Sequence, residues 1–360
     1  MSARRPTIAD VARAAQVSPS TASVVFSGNA AVAPTTKARV LEAAAALGYR
    51  GPDPRAASLR RGRSGIVGVV FEEHLGAAFL DPVNTHMMDG LAEGVAPLGA
   101  GLLLLRDDPP PTGDAPTETT GALSLRSAPV DAVVLVGCSR RLTESLEILR
   151  ARGIPVIVME GDAGPGIPRI ELDNREAQRQ AASHLRTLGH SRAAIVTLPF
   201  DGRRERGILE PGDPRVPAIE VTKERLAGAR DVFPDAPVHI AAASRIDEGL
   251  QAGRMILADS DARPTAVIAQ SDLLAAGVIR SAEERGIRIP EDLSVTGFDG
   301  ISLDGFAPYE LTTLVQPSTA KGRAAGEAVV RMLEGGAGVS LRFTCEFRAG
   351  NTTGPPPSLT

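Results

Sequence analysis

The chain has 360 residues, of which 43% are hydrophobic and 23% charged, and a formal net charge of −4. That length exceeds what one hydrophobic core usually supports, so two or three domains are expected, and the composition excludes an intrinsically disordered chain. Cys138 and Cys345 lie far apart, with no metal-ligand spacing, and no apolar run is long enough to span a bilayer. The sequence therefore predicts a soluble, cytoplasmic protein that uses neither metal nor cofactor.

Charge is distributed unevenly. Residues 1–64 hold ten Lys and Arg against three Asp and Glu, a local net of +7 on a chain that is −4 overall. A basic head on an acidic body suggests a small module for a polyanion, DNA above all. Thr7 can cap a first helix whose opening turn holds Asp10, with Ile8, Val11, Ala12 and Ala15 on one face. Gln16-Val17 leaves room only for a turn. Ser18 then caps a second helix with Pro19 at its first position, running to about Ser27, where Gly28-Asn29 stops it. In that helix Ala22, Val25 and Phe26 face inward, and Pro19, Ser20, Thr21, Ser23 and Val24 face solvent. A third helix spans Pro34 to Leu47 with Gly48 as its left-handed cap, and Val40, Leu41, Ala44 and Leu47 form its inner stripe. This is helix-turn-helix spacing, with the second helix placed for the major groove. A three-helix docking domain that never meets DNA is the alternative.

These motifs resemble the lac repressor (LacI/GalR) family of bacterial transcription factors. The resemblance rests on Thr7–Ala12, Val17–Ser23, Val32–Tyr49 and Pro52–Leu59. It implies DNA contacts from Thr7, Ser18, Pro19, Ser20, Thr21, Ser23, Val24 and Asn29. It also implies a hinge helix near residues 52–60, supplying Ala56, Leu59 and Arg60, with Leu59 as a wedge between base pairs in the minor groove. Val24 departs from the long polar side chain usual there. It can pack on a thymine methyl but cannot grip guanine, so no operator sequence carries over.

From Ser64 the pattern changes to short apolar runs alternating with helical periodicity. Strands are expected at 65–71, 101–105, 132–136, 156–159, 193–197, 238–241, 266–269 and 294–297. Helices are expected at 84–98, 142–152, 175–188, 247–257, 273–285 and 321–333. Such alternation means parallel sheets covered on both faces, and the strand count suits two doubly wound halves. The segment 107–120 reads as a surface loop. Pro199–Val221 is longer than a usual connection and reads as a surface loop, with a lid or contact surface as the alternative.

The body too resembles the family, in Arg152–Val156, Asp173-Asn174, Leu188–His190, Arg263–Val267, Pro290–Asp299 and Leu311–Pro317. The resemblance implies a periplasmic-binding-protein-like body of two Rossmann-like subdomains crossed three times by the chain. The expected organisation is an α/β protein with a helix-turn-helix domain at 1–50, hinge helix and linker at 51–63, an effector-binding and dimerisation domain at 64–350, and a tail at 351–360. Ligands of doubly wound sheets sit beyond the carboxyl ends of the strands, which points to Glu160, Ser271, Asp272 and Asp299. By resemblance Glu160 and Asp299 bind effector hydroxyls or amines, Arg225 reaches in from the second subdomain, and Val83 and Asn84 line the same cleft. Catalytic signatures are missing: there is no G-x-S-x-G elbow, no Walker loop and no H-E-x-x-H, and Gly161–Gly166 lacks dinucleotide spacing. The expectation is a non-enzymatic, dimeric regulator that binds double-stranded DNA at a pseudo-palindromic operator and a small polar effector, a carbohydrate first. A solute-binding protein without a DNA role and a nucleoside-responsive regulator are the rivals.

Overall fold

The computed structural model describes residues 6–27, 31–51, 62–71, 75–106, 125–137, 142–161, 164–210, 212–259 and 263–357. The chain divides into two compact units, 1–65 and 66–360.

The first unit holds α1 (Ile8–Ala14), α2 (Pro19–Ser27) and α3 (Pro34–Leu47). Thr7 and Asp10 form a reciprocal cap at the start of α1: the Asp10 N–H donates to Thr7 Oγ1, and the Thr7 N–H donates to Asp10 Oδ2 at 2.9 Å. α3 ends on Gly48 at φ +66°, a left-handed cap. The three helices close over Val11, Ala12, Ala15, Ala22, Val40 and Ala44, with Phe26 set edge-on against Tyr49. Two residues of the expected inner stripe lie outside this core: Leu41 is 45% and Leu47 41% exposed. Leu41 stands about 100° round the helix from Val40, and Leu47 lies three residues beyond Ala44, at the last position of α3.

The second unit carries a six-stranded parallel sheet and a five-stranded one. The first is built from β1 (Ile66–Phe71), β2 (Gly101–Arg106), β3 (Ala132–Val136), β4 (Val156–Met159), β5 (Arg169–Leu172) and β12 (Leu341–Phe343), in the order β12-β5-β4-β3-β1-β2. α4 (Leu75–Ala78), α5 (Pro82–Val95), α6 (Leu142–Ala151) and α11 (Ser318–Leu333) belong to this half. The second sheet holds β6 (Ala193–Thr197), β7 (Gly207–Leu209), β8 (Val238–Ile240), β9 (Ala266–Ala269) and β10 (Ser294–Thr296), in the order β10-β9-β6-β8-β7. Its helices are α7 (Asn174–Thr187), α8 (Glu220–Arg230), α9 (Ile246–Ile256) and α10 (Asp272–Glu283). A small antiparallel pair, β11 (Thr313–Val315) with β13 (Glu346–Arg348), lies where the chain passes between the halves. The chain makes that passage after β5, after β10 and after β12.

Three expectations need correction. The second sheet is not wholly parallel, because β7 pairs antiparallel with β8. β7 falls inside 199–221, so that segment is not a plain surface loop. The N–H groups of Ala218 and Ile219 both donate to the Phe200 carbonyl, and Arg206 forks onto Glu248 of α9 at 2.6 and 2.8 Å, which closes its base and anchors its middle. Residues 351–357 are not a tail either. Thr352 is fully buried and exchanges hydrogen bonds with Val295, while the buried His190 ring lies 2.9 Å from the Gly354 carbonyl. The loop at 107–120 lies outside the described residues.

Two close helix contacts seat the groups that matter below. A Cβ on Gly322 of α11 would stand 2.0 Å from the Met87 carbonyl of α5, so backbone meets backbone there. A Cβ on Gly228 of α8 would stand 2.1 Å from the Arg175 carbonyl of α7. The first contact fixes Lys321, and the second fixes Arg225 and Asn174 within a turn of it.

Candidate DNA-binding and effector sites

In the first unit, the exposed start of α2 is a cluster of hydroxyls. Ser18 Oγ accepts the Thr21 N–H at 3.1 Å and lies 2.7 Å from Ser20 Oγ and 2.8 Å from Thr21 Oγ1. Ser18, Pro19 and Ser20 are exposed, as is Thr7, whereas Thr21, Ser23 and Val24 are half-buried. A helix start rich in N–H and O–H donors suits a phosphate oxygen. Asn29, Ala56, Leu59 and Arg60 lie outside the described residues.

In the second unit, a cavity of about 200 Å³ opens beyond the carboxyl ends of the strands of both sheets. Val83, Asn84, Glu160, Arg225, Ser271 and Asp299, all expected there, line it. Asp272 does not. Its carboxylate is fully buried, taking the Thr313 hydroxyl at 2.5 Å and the Ile301 N–H at 2.9 Å, and burial pushes it up to about 6. Asp272 braces the second crossover. The strand-end argument failed for it because it opens α10, one residue past the cleft-facing Ser271, which caps that helix through the Leu274 N–H.

The heart of the cleft is a closed ring of six side chains. Arg225 Nε donates to Asn174 Oδ1 at 2.8 Å, and Asn174 Nδ2 donates to Glu160 Oε2 at 3.2 Å. Lys321 Nζ donates to Glu160 Oε1 and, at 2.6 Å, to Gln316 Oε1. Gln316 Nε2 donates to Asp299 Oδ1 at 2.7 Å, and that oxygen lies 3.6 Å from Arg225 Nη1. Arg225 is further fixed by the Gln270 carbonyl at 2.6 Å and by the Phe298 ring, 3.5 Å below its guanidinium. Glu160 and Lys321 belong to the first half, Arg225 to the second, and Asn174, Asp299 and Gln316 to the crossovers, so the ring spans the hinge of this unit.

Burial would push the Glu160 carboxyl up, but the Lys321 ammonium, helped by Arg225 and Asn174, holds it below the usual carboxylate value. Burial carries Asp299 well above that value; Arg225 opposes the rise, while Asp81 and Asp272 add to it. Asp81 is raised too, mainly by burial, against the Val83 N–H it accepts at 2.9 Å. The backbone is strained at the same place: Glu160 (φ +56°), Arg204 (φ +55°) and Asp299 (φ +127°) all line the cleft, and such conformations cost about 1–3 kcal/mol each.

Sequence reasoning missed Asp81, Asn174, Arg204, Gln316 and Lys321. Lys321 left a signal: it shares the helical stripe of Ala325, Ala328 and Val329, all buried, so a charge was being drawn into an apolar face. The cleft can hold a small molecule through acceptors at Glu160 and Asp299 and donors at Arg225 and Lys321. Among the described residues no group of His, Cys, Asp and Glu could hold a metal ion, and no helix is long and apolar enough to cross a membrane.

Residues 7–51 match the family model for bacterial regulatory proteins of the lacI family, and 182–344 match a periplasmic binding protein-like domain. The HTH-type transcriptional regulator Rv3575c of Mycobacterium tuberculosis is 30% identical, over 98% of each chain. The lac repressor dimer, solved with operator and the anti-inducer ONPF, superposes with a TM-score of 0.75 at 19% identity, over 98% of this chain and 100% of that one. The regulator CelR in complex with cellobiose gives a TM-score of 0.63 at 24% identity, over 97% and 100%. A helix-turn-helix unit and a two-sheet body with a polar cleft, matched along the whole chain, make this protein a member of the LacI family of DNA-binding transcriptional regulators.

Proposed function

We propose that the chain is a repressor that binds a pseudo-palindromic operator as a cytoplasmic homodimer, and that a small carbohydrate in the cleft controls its hold on DNA. The observation that carries this reading is the polar ring across the hinge of the second unit. Any ligand that bonds Glu160, Arg225 and Asp299 must contact both halves and a crossover, and so bias the angle between them. Sugar hydroxyls, which donate and accept, suit carboxylates and a guanidinium set side by side. Val83, Asn84 and Ser271 complete the wall. The cellobiose of CelR and the operator of the lac repressor dimer support the same pairing of sugar and DNA.

Thr7, Ser18, Pro19, Ser20, Thr21, Ser23 and Val24 are the proposed DNA-facing residues of the first unit, joined by Asn29 and by Ala56, Leu59 and Arg60 of the hinge. α2 carries no Arg or Lys, so one head has little grip and two are needed. No catalytic role is assigned to any residue. Light scattering with promoter DNA tests the assembly: two chains per site are expected, and one chain per site would overturn it. A thermal-shift screen of sugars tests the cleft, since a ligand held only by the folded state raises the transition. Failure of every sugar, with a shift from nucleosides, would overturn the carbohydrate reading.

A further inference from the structure

Arg225 and Lys321 stand at opposite poles of the ring, one in each half of the second unit, and two arms run between them. One arm passes through Glu160 and through Asn174 at the first crossover. The other passes through Gln316 and Asp299 of the second crossover. Lys321 lies in the first turn of α11, where the second crossover enters the first half, and its N–H donates to the Pro317 carbonyl at 2.9 Å. Gly322, next in the chain, closes directly on the backbone of α5 and fixes this end of α11. Holding an ammonium at 1% exposure costs its hydration and the freedom of a long side chain. Methionine would fill the same space, so the charge serves the two bonds it makes. The carboxylates of the two arms, Glu160 and Asp299, stand on left-handed backbone at φ +56° and +127°, strain that lasts only where surrounding contacts hold it.

We propose that Lys321 is a positioning residue for the DNA response: it ties both arms to the first half at one point and so sets the angle between the halves when no effector is bound. The inference rests on the cleft being the effector site. An effector that bonds Glu160, Asp299 and Arg225 takes atoms that the arms already use, so the closed ring belongs to the effector-free arrangement and the effector opens it. Lys321→Met leaves Glu160 beside Asn174 and Arg225, and it leaves the approach of Asp299 to Arg225 in place. What it removes is the tie between the arms. The halves, released from it, shift towards the effector-bound arrangement.

The test is the anisotropy of labelled promoter DNA titrated with the full chain, without sugar and with a saturating sugar. That sugar is the one among D-glucose, D-galactose, D-ribose and cellobiose that most raises the wild-type thermal transition. In Lys321→Met the sugar-free dissociation constant moves on the order of tenfold towards the sugar-saturated value of the wild type, and the sugar changes it little further. Gln316→Met cuts the second arm alone and moves the constant the same way by less; it carries the test if Lys321→Met fails to fold. Leu149→Ala opens a cavity in a first-half core cluster that contains no ring residue, so it lowers the thermal transition and leaves DNA affinity at the wild-type value. Sugar-free affinities within about twofold of the wild type in both ring variants overturn the inference, as does an equal shift in Leu149→Ala. If none of these sugars moves the wild-type transition, the carbohydrate reading fails by itself. A sugar-free affinity changed on the order of tenfold in the ring variants alone then still upholds the tie.

Discussion

Arg225→Ala removes the centre of the ring, and its cost follows from two interactions of the guanidinium. The substitution strands the carbonyl of the fully buried Gln270, worth about 1–3 kcal/mol. It also removes the guanidinium stacked 3.5 Å above Phe298, worth about 2 kcal/mol for a desolvated pair. Together these give about 3–5 kcal/mol, and water entering from the cleft favours the lower end. At about 2 °C per kcal/mol for a body of this size, the transition should fall by about 6–10 °C. Asp299 loses its cation, so burial raises its carboxyl further. A carboxyl whose folded value is raised stabilises the protein at low pH and loses that contribution as pH rises. The deficit of Arg225→Ala should therefore shrink when pH is lowered from 7 to 5. The chain has no Trp, so circular dichroism during heating is the suitable probe, with the sugar that shifts the wild type added in a second series. A fall of less than about 2 °C, with the sugar response intact, would refute both the structural and the ligand role of Arg225.

Asp272→Asn should lower stability by about 1–3 kcal/mol in urea unfolding, because it disturbs buried bonds to Thr313 and Ile301, yet leave sugar affinity unchanged. A lost sugar response in a folded variant would return Asp272 to the cleft. His239, driven down to about 4 by burial, stays neutral in the folded state while the unfolded chain titrates near 6.5. Its contribution is thus complete above pH 6.5 and drains away as pH falls towards 4, so His239→Leu should flatten the pH dependence of the urea midpoint across that window. Parallel pH curves for variant and wild type would contradict it. Leu59→Ala should weaken specific DNA binding by a few kcal/mol and reduce the bend, with non-specific binding and its salt slope unchanged. Unchanged bending would leave Leu59 without a wedge role.

Local rules made most of the elements readable. Thr7, Ser18 and Gly48 mark helix ends because caps need hydroxyl acceptors or a left-handed residue, and those requirements are written one residue at a time. Buried parallel strands such as β3 and β4 stand out as unbroken apolar runs. β5, β7, β11, β12 and β13 did not: each is only three or four residues long, and charged residues interrupt β5, β12 and β13. α8 was hidden by its composition: it opens on Glu220 and buries Thr222, Arg225 and Gly228, so it shows little apolar stripe. Of the cleft, the groups at strand ends were found by topology, while Asn174, Gln316 and Lys321 were not, because their partners are set by the crossovers. Asp272 shows the opposite failure, where the right neighbourhood held a residue facing the wrong way.

The coupling of DNA binding to the cleft is tested most directly by fluorescence anisotropy of the full chain on its own promoter DNA. The titration is run at two salt concentrations, with and without the sugar that most raises the thermal transition. The account predicts binding that weakens steeply with salt and a dissociation constant that the sugar moves by on the order of tenfold or more. A sugar that raises the thermal transition yet leaves the DNA affinity untouched at both salt concentrations would contradict it.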